Sequence, residues 1–278
     1  MAQRDKEWFY IGSRALLAGT QAFLAIEKWR LEHTQHTRRW LSVWREFEAL
    51  MALAGYAHEH PDNTFPRFSG TEKILEGENM AHPLLAADGC VRNRVSLQQQ
   101  TRFYVISGSN MAGKSTLLRT IGLNAVLAYA GAPVCATAMV LSHFEICASL
   151  AVQDSLLEGK SKFLAEIDRL KTALAVPAER GPVLFLIDEI LSGTNSKDRR
   201  IAAEAILREL IRRGAVGALS THDLALTELA SLKDLHGVNM HMGSEDDSEP
   251  LRFDYILKPG VTRESNALAI ARLAGVPV

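Results

Sequence analysis

The chain has 278 residues, a formal net charge of −1, 47% apolar residues and 23% charged residues. This composition is ordinary for a globular protein with a sizeable core, and the length suggests about two domains. The near-zero charge gives no global nucleic-acid footprint, so any DNA contact is expected to be local or supplied by parts outside these residues. The three cysteines, Cys90, Cys135 and Cys147, are scattered. They make neither a disulfide framework nor a zinc spacing and suit a reducing cytoplasm. The first ten residues are polar and charged, unlike a signal peptide.

Residues 13–33 place Leu16, Leu17, Phe23, Leu24, Ile26 and Trp29 at helical spacing, and residues 37–56 repeat the pattern from Trp40 to Leu53. The two runs predict an antiparallel helix pair. Trp29, Trp40 and Trp44 lie here, as expected of a core or helix–helix interface. The basic residues Lys28, Arg30, Arg38, Arg39 and Arg45 read first as a solvated face, and alternatively as a surface tracking a DNA backbone. The stretch His58-Glu-His-Pro-Asp-Asn-Thr-Phe-Pro-Arg67 is rich in turn formers and reads as a linker. His58 and His60 lack a third metal ligand at a sensible spacing. The expected division is a helical hairpin over 1–65 and a second domain over 66–278.

Residues 71–101 predict short strands and turns. Phe103–Ile106 is an apolar, β-branched run that reads as a buried strand, and 115–129 reads as a helix. Between them, Gly108-Ser-Asn-Met-Ala-Gly-Lys-Ser115 fits G-x-x-x-x-G-K-[ST], the phosphate-binding loop. Gly108 and Gly113 let the chain curl with its N–H groups inward, and the helix start adds about half a positive charge. Lys114 is placed to reach the β- and γ-phosphates, and the Ser115 hydroxyl to ligate Mg²⁺. The stretch Thr120–Ser142 carries no charge and has the length of a membrane span. Gly131-Ala-Pro133 interrupts it, so it reads as a buried helix followed by a strand.

Ala138–Ala148 predicts that strand, and Lys162–Leu174 a helix with Phe163, Ile167, Leu170 and Leu174 on one face. Val183-Leu-Phe-Leu-Ile-Asp188-Glu189 is an apolar run ending in two acids. It reads as a buried parallel strand of the Walker B type. Asp188 is the candidate Mg²⁺ ligand and Glu189 the candidate general base for an attacking water. Ile201–Arg213 predicts an amphipathic helix, and Ala215–His222 a small-residue strand ending in a histidine that can report the γ-phosphate. Leu235–Met242 and Leu251–Leu257 predict a hairpin across an acidic connection, and Glu264–Ala274 a closing helix.

Together these residues resemble the ATPase domain of the MutS family, the ABC-class ATPases of DNA mismatch repair. Gly108-Ser-Asn-Met-Ala-Gly-Lys-Ser-Thr116 is similar to the family's Gly-Pro-Asn-Met-Gly-Gly-Lys-Ser-Thr, including the Asn110-Met111 pair. Asp188-Glu-Ile190 with Gly193-Thr-Asn-Ser196 resembles its Asp-Glu-Ile-Gly-Arg-Gly-Thr-Ser, and Ser220-Thr-His222 its switch segment. Gly159-Lys-Ser-Lys-Phe163 with Glu166 resembles its signature loop, and Pro259-Gly260 with 265–277 the end of its ATPase domain. The resemblance covers about 78–278.

The resemblance implies a P-loop NTPase of ABC-ATPase type, an α/β sheet flanked by helices and preceded by a small helical domain. It implies ATP and Mg²⁺ as cofactors and hydrolysis to ADP and phosphate. Residues 108–116 (Gly108, Ser109, Asn110, Met111, Ala112, Gly113, Lys114, Ser115, Thr116) then hold the nucleotide. Val91 and Asn93, beside Cys90, match the segment packing on adenine, and His241 a histidine on the other side of the base. Ser115, Asp188 and Gln153, at the Q-loop position, serve the metal. Glu189, Lys114 and His222 serve catalysis, and Ser161 contacts the γ-phosphate held by a second subunit. Composite sites imply a homodimer, and the family implies mismatched or branched DNA and mismatch-repair proteins as partners.

No counterpart of the family's mismatch-reading domain, with its Phe-x-Glu wedge, is found in these residues. The helix pair looks more like a divergent bacterial MutS-like branch, some members of which carry hydrophobic segments upstream. This implies a fragment or shortened relative, with a cytoplasmic chain and, in that branch, a membrane-associated parent. Three alternatives stay open: a binding switch whose hydrolysis only resets a clamp, another ABC-class machine, and a P-loop kinase. The lack of Leu-Ser-Gly-Gly-Gln speaks against the second. Asp188-Glu189 and Thr221-His222 speak against the third.

Overall fold

The computed structural model describes residues 12–70, 72–86, 89–150, 162–176, 180–244 and 252–262. It divides into two compact units, one ending at Glu59 and one beginning at His60. In the first unit the expected helix pair is instead one continuous helix, α1 (Ala18–Glu59, 42 residues). The polar stretch at 33–37 has neither Gly nor Pro to break the helix. Its threonines bond back onto the preceding turn: Thr34 Oγ1 donates to Arg30 O and Thr37 Oγ1 to His33 O. None of its residues is buried. Trp29, Trp40 and Trp44 are all at least half exposed, so among the described residues of this unit they form no core.

The second unit holds β1 (Arg67–Phe68), β2 (Leu75–Met80), β3 (Asn93–Leu97), β4 (Phe103–Ser107), α2 (Lys114–Ala130), β5 (Ala138–Leu141) and β6 (Glu145–Ser149). It continues with α3 (Lys162–Leu174), β7 (Val183–Asp188), α4 (Ser196–Arg212), β8 (Val216–Thr221), a 3₁₀ segment (Leu224–Ser231), β9 (Gly237–His241) and β10 (Lys258–Pro259). Among the described residues the strands form two sheets, ordered β1-β5-β2-β3 and β10-β9-β4-β8-β7-β6. In the six-stranded sheet β9, β4, β8, β7 and β6 run parallel, and β10 returns antiparallel.

The strand pleat divides the core into two layers. Tyr104, Ile106, Leu184, Leu186, Val216 and Ala218 pack with α2 and the four-stranded sheet. Phe103, Val105, Val183, Phe185, Ile187 and Leu219 point to the other face and pack with α3 and α4. Strands buried on both faces are continuous apolar runs for this reason. Gly217 marks a close backbone approach: a Cβ there would lie 2.0 Å from Phe185 O and 2.6 Å from its ring. Gly217→Ala is expected to lower stability by about 3 kcal/mol, read from urea unfolding. An unchanged midpoint would contradict this packing.

α2 ends where Gly131 turns left-handed, with Gly131 N–H on Ala128 O and Ala132 N–H on Leu127 O. This is a Schellman stop, and Pro133 follows. Among the described residues no helix is long and apolar enough to cross a membrane. The strand expected over 138–148 is two strands in different sheets. Tyr129 causes the break: its hydroxyl donates to Ser142 O at 2.8 Å and accepts from Phe144 N–H at 3.0 Å. Burial pushes this phenol up to about 12. α4 begins five residues earlier than expected because Asn195 Oδ1 caps it through Asp198 N–H at 2.9 Å. The expected hairpin is also altered. β9 pairs with β4, its antiparallel partner is β10, and among the described residues 252–257 contributes only the bridge Ser244↔Phe253. The helix expected at 264–274 lies outside the described residues.

Candidate active site

The C-terminal ends of the parallel strands lie side by side: Ser107 is opposite Thr221 and His241, and Asp188 is opposite Ser220. Loops leaving that edge are where α/β sheets bind ligands. A cavity of about 410 Å³ opens there. It is lined by Val91, Asn93, Asn110, Met111, Gly113, Lys114, Ser115, Thr116, Asp188 and Glu189, with Cys90, His82, Leu85, Met242 and Tyr255. The structure thus brings ten of the expected site residues to one space, although they are up to 98 positions apart (189 minus 91).

The phosphate loop has the backbone its glycines predict. Gly108 has φ 151°, and a Cβ there would meet Met242 O at 2.1 Å. Gly113 has φ 95° and starts α2 without any side-chain cap. The first N–H groups of α2 therefore lack intrahelical acceptors and favour an anion. Met111 at the loop tip also takes a positive φ of 72° and is exposed. Lys114 is 5% exposed, and its Nζ donates to Gly108 O and Ser109 O, both at 2.8 Å. Burial lowers its pKa, opposed by the charges of Glu189 and Asp188. Ser109 Oγ is buried and makes no hydrogen bond among the described residues.

The two acids are placed by β8. Ser220 Oγ donates to Asp188 Oδ1, and Glu189 N–H bonds Ser220 O at 3.1 Å. Glu189 turns left-handed (φ 56°), as does Leu191 (φ 52°). Such backbone persists only where its surroundings hold it. Glu189 Oε1 lies 3.0 Å from His222 Nδ1. His222 therefore touches the candidate base directly.

Other expected residues sit differently. Asn93 is nearly buried, donating to Tyr255 O at 3.0 Å and accepting from Leu257 N–H at 2.7 Å. It braces the 255–257 segment through both ends of its amide. His241 does not line the cavity. It ends β9 beside Ser107, and its Nδ1 is buried without a hydrogen-bond partner among the described residues. Met242, the next residue, and Tyr255 do line the cavity. Tyr255 was missed by sequence reasoning; an aromatic pair, Phe253 and Tyr255, ahead of Pro259-Gly260 was the available signal. Gln153 and Ser161 lie outside the described residues.

The donor set fits Mg²⁺. Ser115 and Asp188 supply hard oxygens in one cavity, and among the described residues no three His, Cys, Asp or Glu side chains converge on a metal. Mg²⁺ bound through one or two protein oxygens, substrate phosphates and water needs no such cage.

Comparison with known proteins places this geometry. Residues 104–278 match the family described as MutS domain V. The DNA mismatch repair protein MutS of Lactobacillus acidophilus is 32% identical over 84% of this chain and 28% of its own length. The protein of the same name from Staphylococcus saprophyticus is 29% identical over 99% of the chain and 31% of its own length. That from Thermotoga petrophila is 30% identical over 88% and 31%. The chain therefore spans less than a third of the length of these relatives. With a phosphate loop, paired acids and strand order of one P-loop site, the chain belongs to the MutS family, and residues 104–278 are its ABC-type ATPase domain.

Proposed function

We propose that this chain is the ATP-driven switch of a MutS-like protein, in which two copies close on two nucleotides and hydrolysis reopens them. The observation that carries the reading is the convergence of Lys114, Ser115, Asp188 and Glu189 in one cavity, with His222 bonded to the base. Lys114 exchanges its loop carbonyls for phosphate oxygens when ATP enters. Ser115 and Asp188 would hold Mg²⁺, which would supply positive charge beside the phosphates. Glu189 takes the proton of the attacking water. A neutral imidazole has one N–H. His222 can thus donate from Nδ1 to Glu189 or from Nε2 to a phosphate, and does both only as an imidazolium.

At the base end, Val91 and Tyr255 offer apolar and aromatic surface. Tyr255→Ala is expected to weaken ADP binding about tenfold in an equilibrium titration; unchanged affinity would remove Tyr255 from the site. Gln153 and Ser161 are proposed for the metal and for the partner copy's γ-phosphate. α1 is proposed as a remnant of the family's core and lever region, in a divergent bacterial branch. DNA and mismatch-repair proteins are the proposed partners, by the names of the relatives. The test is salt-dependent binding of the ATP-loaded chain to mismatched and to matched duplex. Preference for the mismatch supports a repair role. Absence of binding at low salt leaves an ATPase switch without direct DNA recognition in these residues.

A further inference from the structure

The loop between β7 and α4 is gripped from two sides. From α3, Glu166, 2% exposed, accepts the Leu191 N–H at 2.6 Å, and a Cβ on Gly193 would meet Phe163 at 2.9 Å. From α4, Arg199 Nε donates to Leu191 O at 3.1 Å. Its Nη2 reaches Thr194 O at 2.9 Å and Ser192 O at 3.4 Å. The remaining Nη1 pairs with Asp223 Oδ2 at 3.1 Å, with both side chains largely withdrawn from solvent. Asp223 is itself fixed, accepting Ala225 N–H at 3.0 Å and donating its own N–H to Thr221 Oγ1 at 2.9 Å.

Asp223 directly follows His222, and Glu189 begins the gripped loop. One guanidinium therefore ties together the two chain segments that meet at the Glu189–His222 hydrogen bond. Arginine suits this because its planar fork presents five donors in fixed directions, whereas a lysine has one charged point. The left-handed backbone at Glu189 and Leu191 also needs such bracing. Arg199 does not line the nucleotide cavity.

We infer that Arg199 is a positioning residue for hydrolysis: it holds the post-β7 loop and the His222–Asp223 turn in the one arrangement that keeps base and switch histidine in contact. This rests on the roles proposed for Glu189 and His222. Its action is on turnover and not on nucleotide affinity.

The test is steady-state ATP hydrolysis and ATP-analogue binding by the full chain carrying Arg199→Ala, Arg199→Lys, Asp223→Asn or His222→Ala, and the double variant Arg199→Ala/His222→Ala. Arg199→Ala is expected to lower kcat about tenfold while analogue affinity stays within about twofold. Arg199→Lys, which keeps the charge for Asp223 but not the fork, recovers only part of the loss. On top of His222→Ala, adding Arg199→Ala changes kcat by less than about twofold, because both act through one contact. Asp223→Asn gives the same pattern at smaller size and stands in if Arg199→Ala does not fold. Unchanged kcat, a fall in affinity matching the fall in kcat, or full multiplication of the two effects would overturn the role of Arg199. If His222→Ala alone leaves kcat unchanged, the reading of His222 falls and this inference falls with it.

Discussion

Glu189→Gln is expected to bind ATP within a few-fold of the parent chain and to hydrolyse it about 10²- to 10³-fold more slowly. The amide keeps the shape of the side chain and an oxygen that can accept from His222 Nδ1, so the 3.0 Å contact survives. It also keeps the backbone N–H bond to Ser220 O that sets the residue's left-handed turn. What it loses is the capacity to take a proton. Binding and turnover should therefore separate, which equilibrium titration and phosphate release measure independently. Rapid turnover would remove Glu189 as the base; lost binding would mean that its charge shapes the phosphate site.

Lys114→Ala has the opposite signature: nucleotide affinity should fall at least about 100-fold, because two charge-assisted hydrogen bonds to phosphate disappear together. Lys114 is 5% exposed and its ammonium is anchored by two loop carbonyls, so it is preorganised beside the cavity. Burial already depresses its pKa, and Asp188 and Glu189 counter that effect. Removing it leaves those acids without their neighbouring cation, so the empty site repels a polyphosphate. Calorimetric titration with ATP reads the loss. Affinity within tenfold of the parent chain would contradict the reading of this loop as the phosphate site.

The contrast between these two residues and the rest shows where sequence sufficed. The strand–loop–helix around Lys114 and the strand ending at Asp188 are local patterns, in which an apolar run sets the strand and glycine sets the curl. The same locality made α3, with Leu170 buried and Phe163, Ile167 and Leu174 packed against the core, readable in advance. α1 misled because its polar middle resembles a turn, while Thr34 and Thr37 satisfy themselves on the helix backbone. The break at 142–144 depends on Tyr129, more than ten positions away. Arg199 and the bracing role of Asn93 were hidden for a similar reason. Asn93 meets partners 162 and 164 positions distant, and Arg199 meets Asp223 24 positions on. Nothing in their neighbouring sequence marks those partners.

The most direct test of the switch is the mass in solution of the Glu189→Gln chain, measured by light scattering with and without ATP and Mg²⁺. In the proposed switch, ATP makes contacts only in the closed pair and so shifts the population toward that pair. A monomer without nucleotide and a dimer with ATP–Mg²⁺ are expected, reversed when the nucleotide is removed. The same mass in both states, with ATP bound, would contradict it.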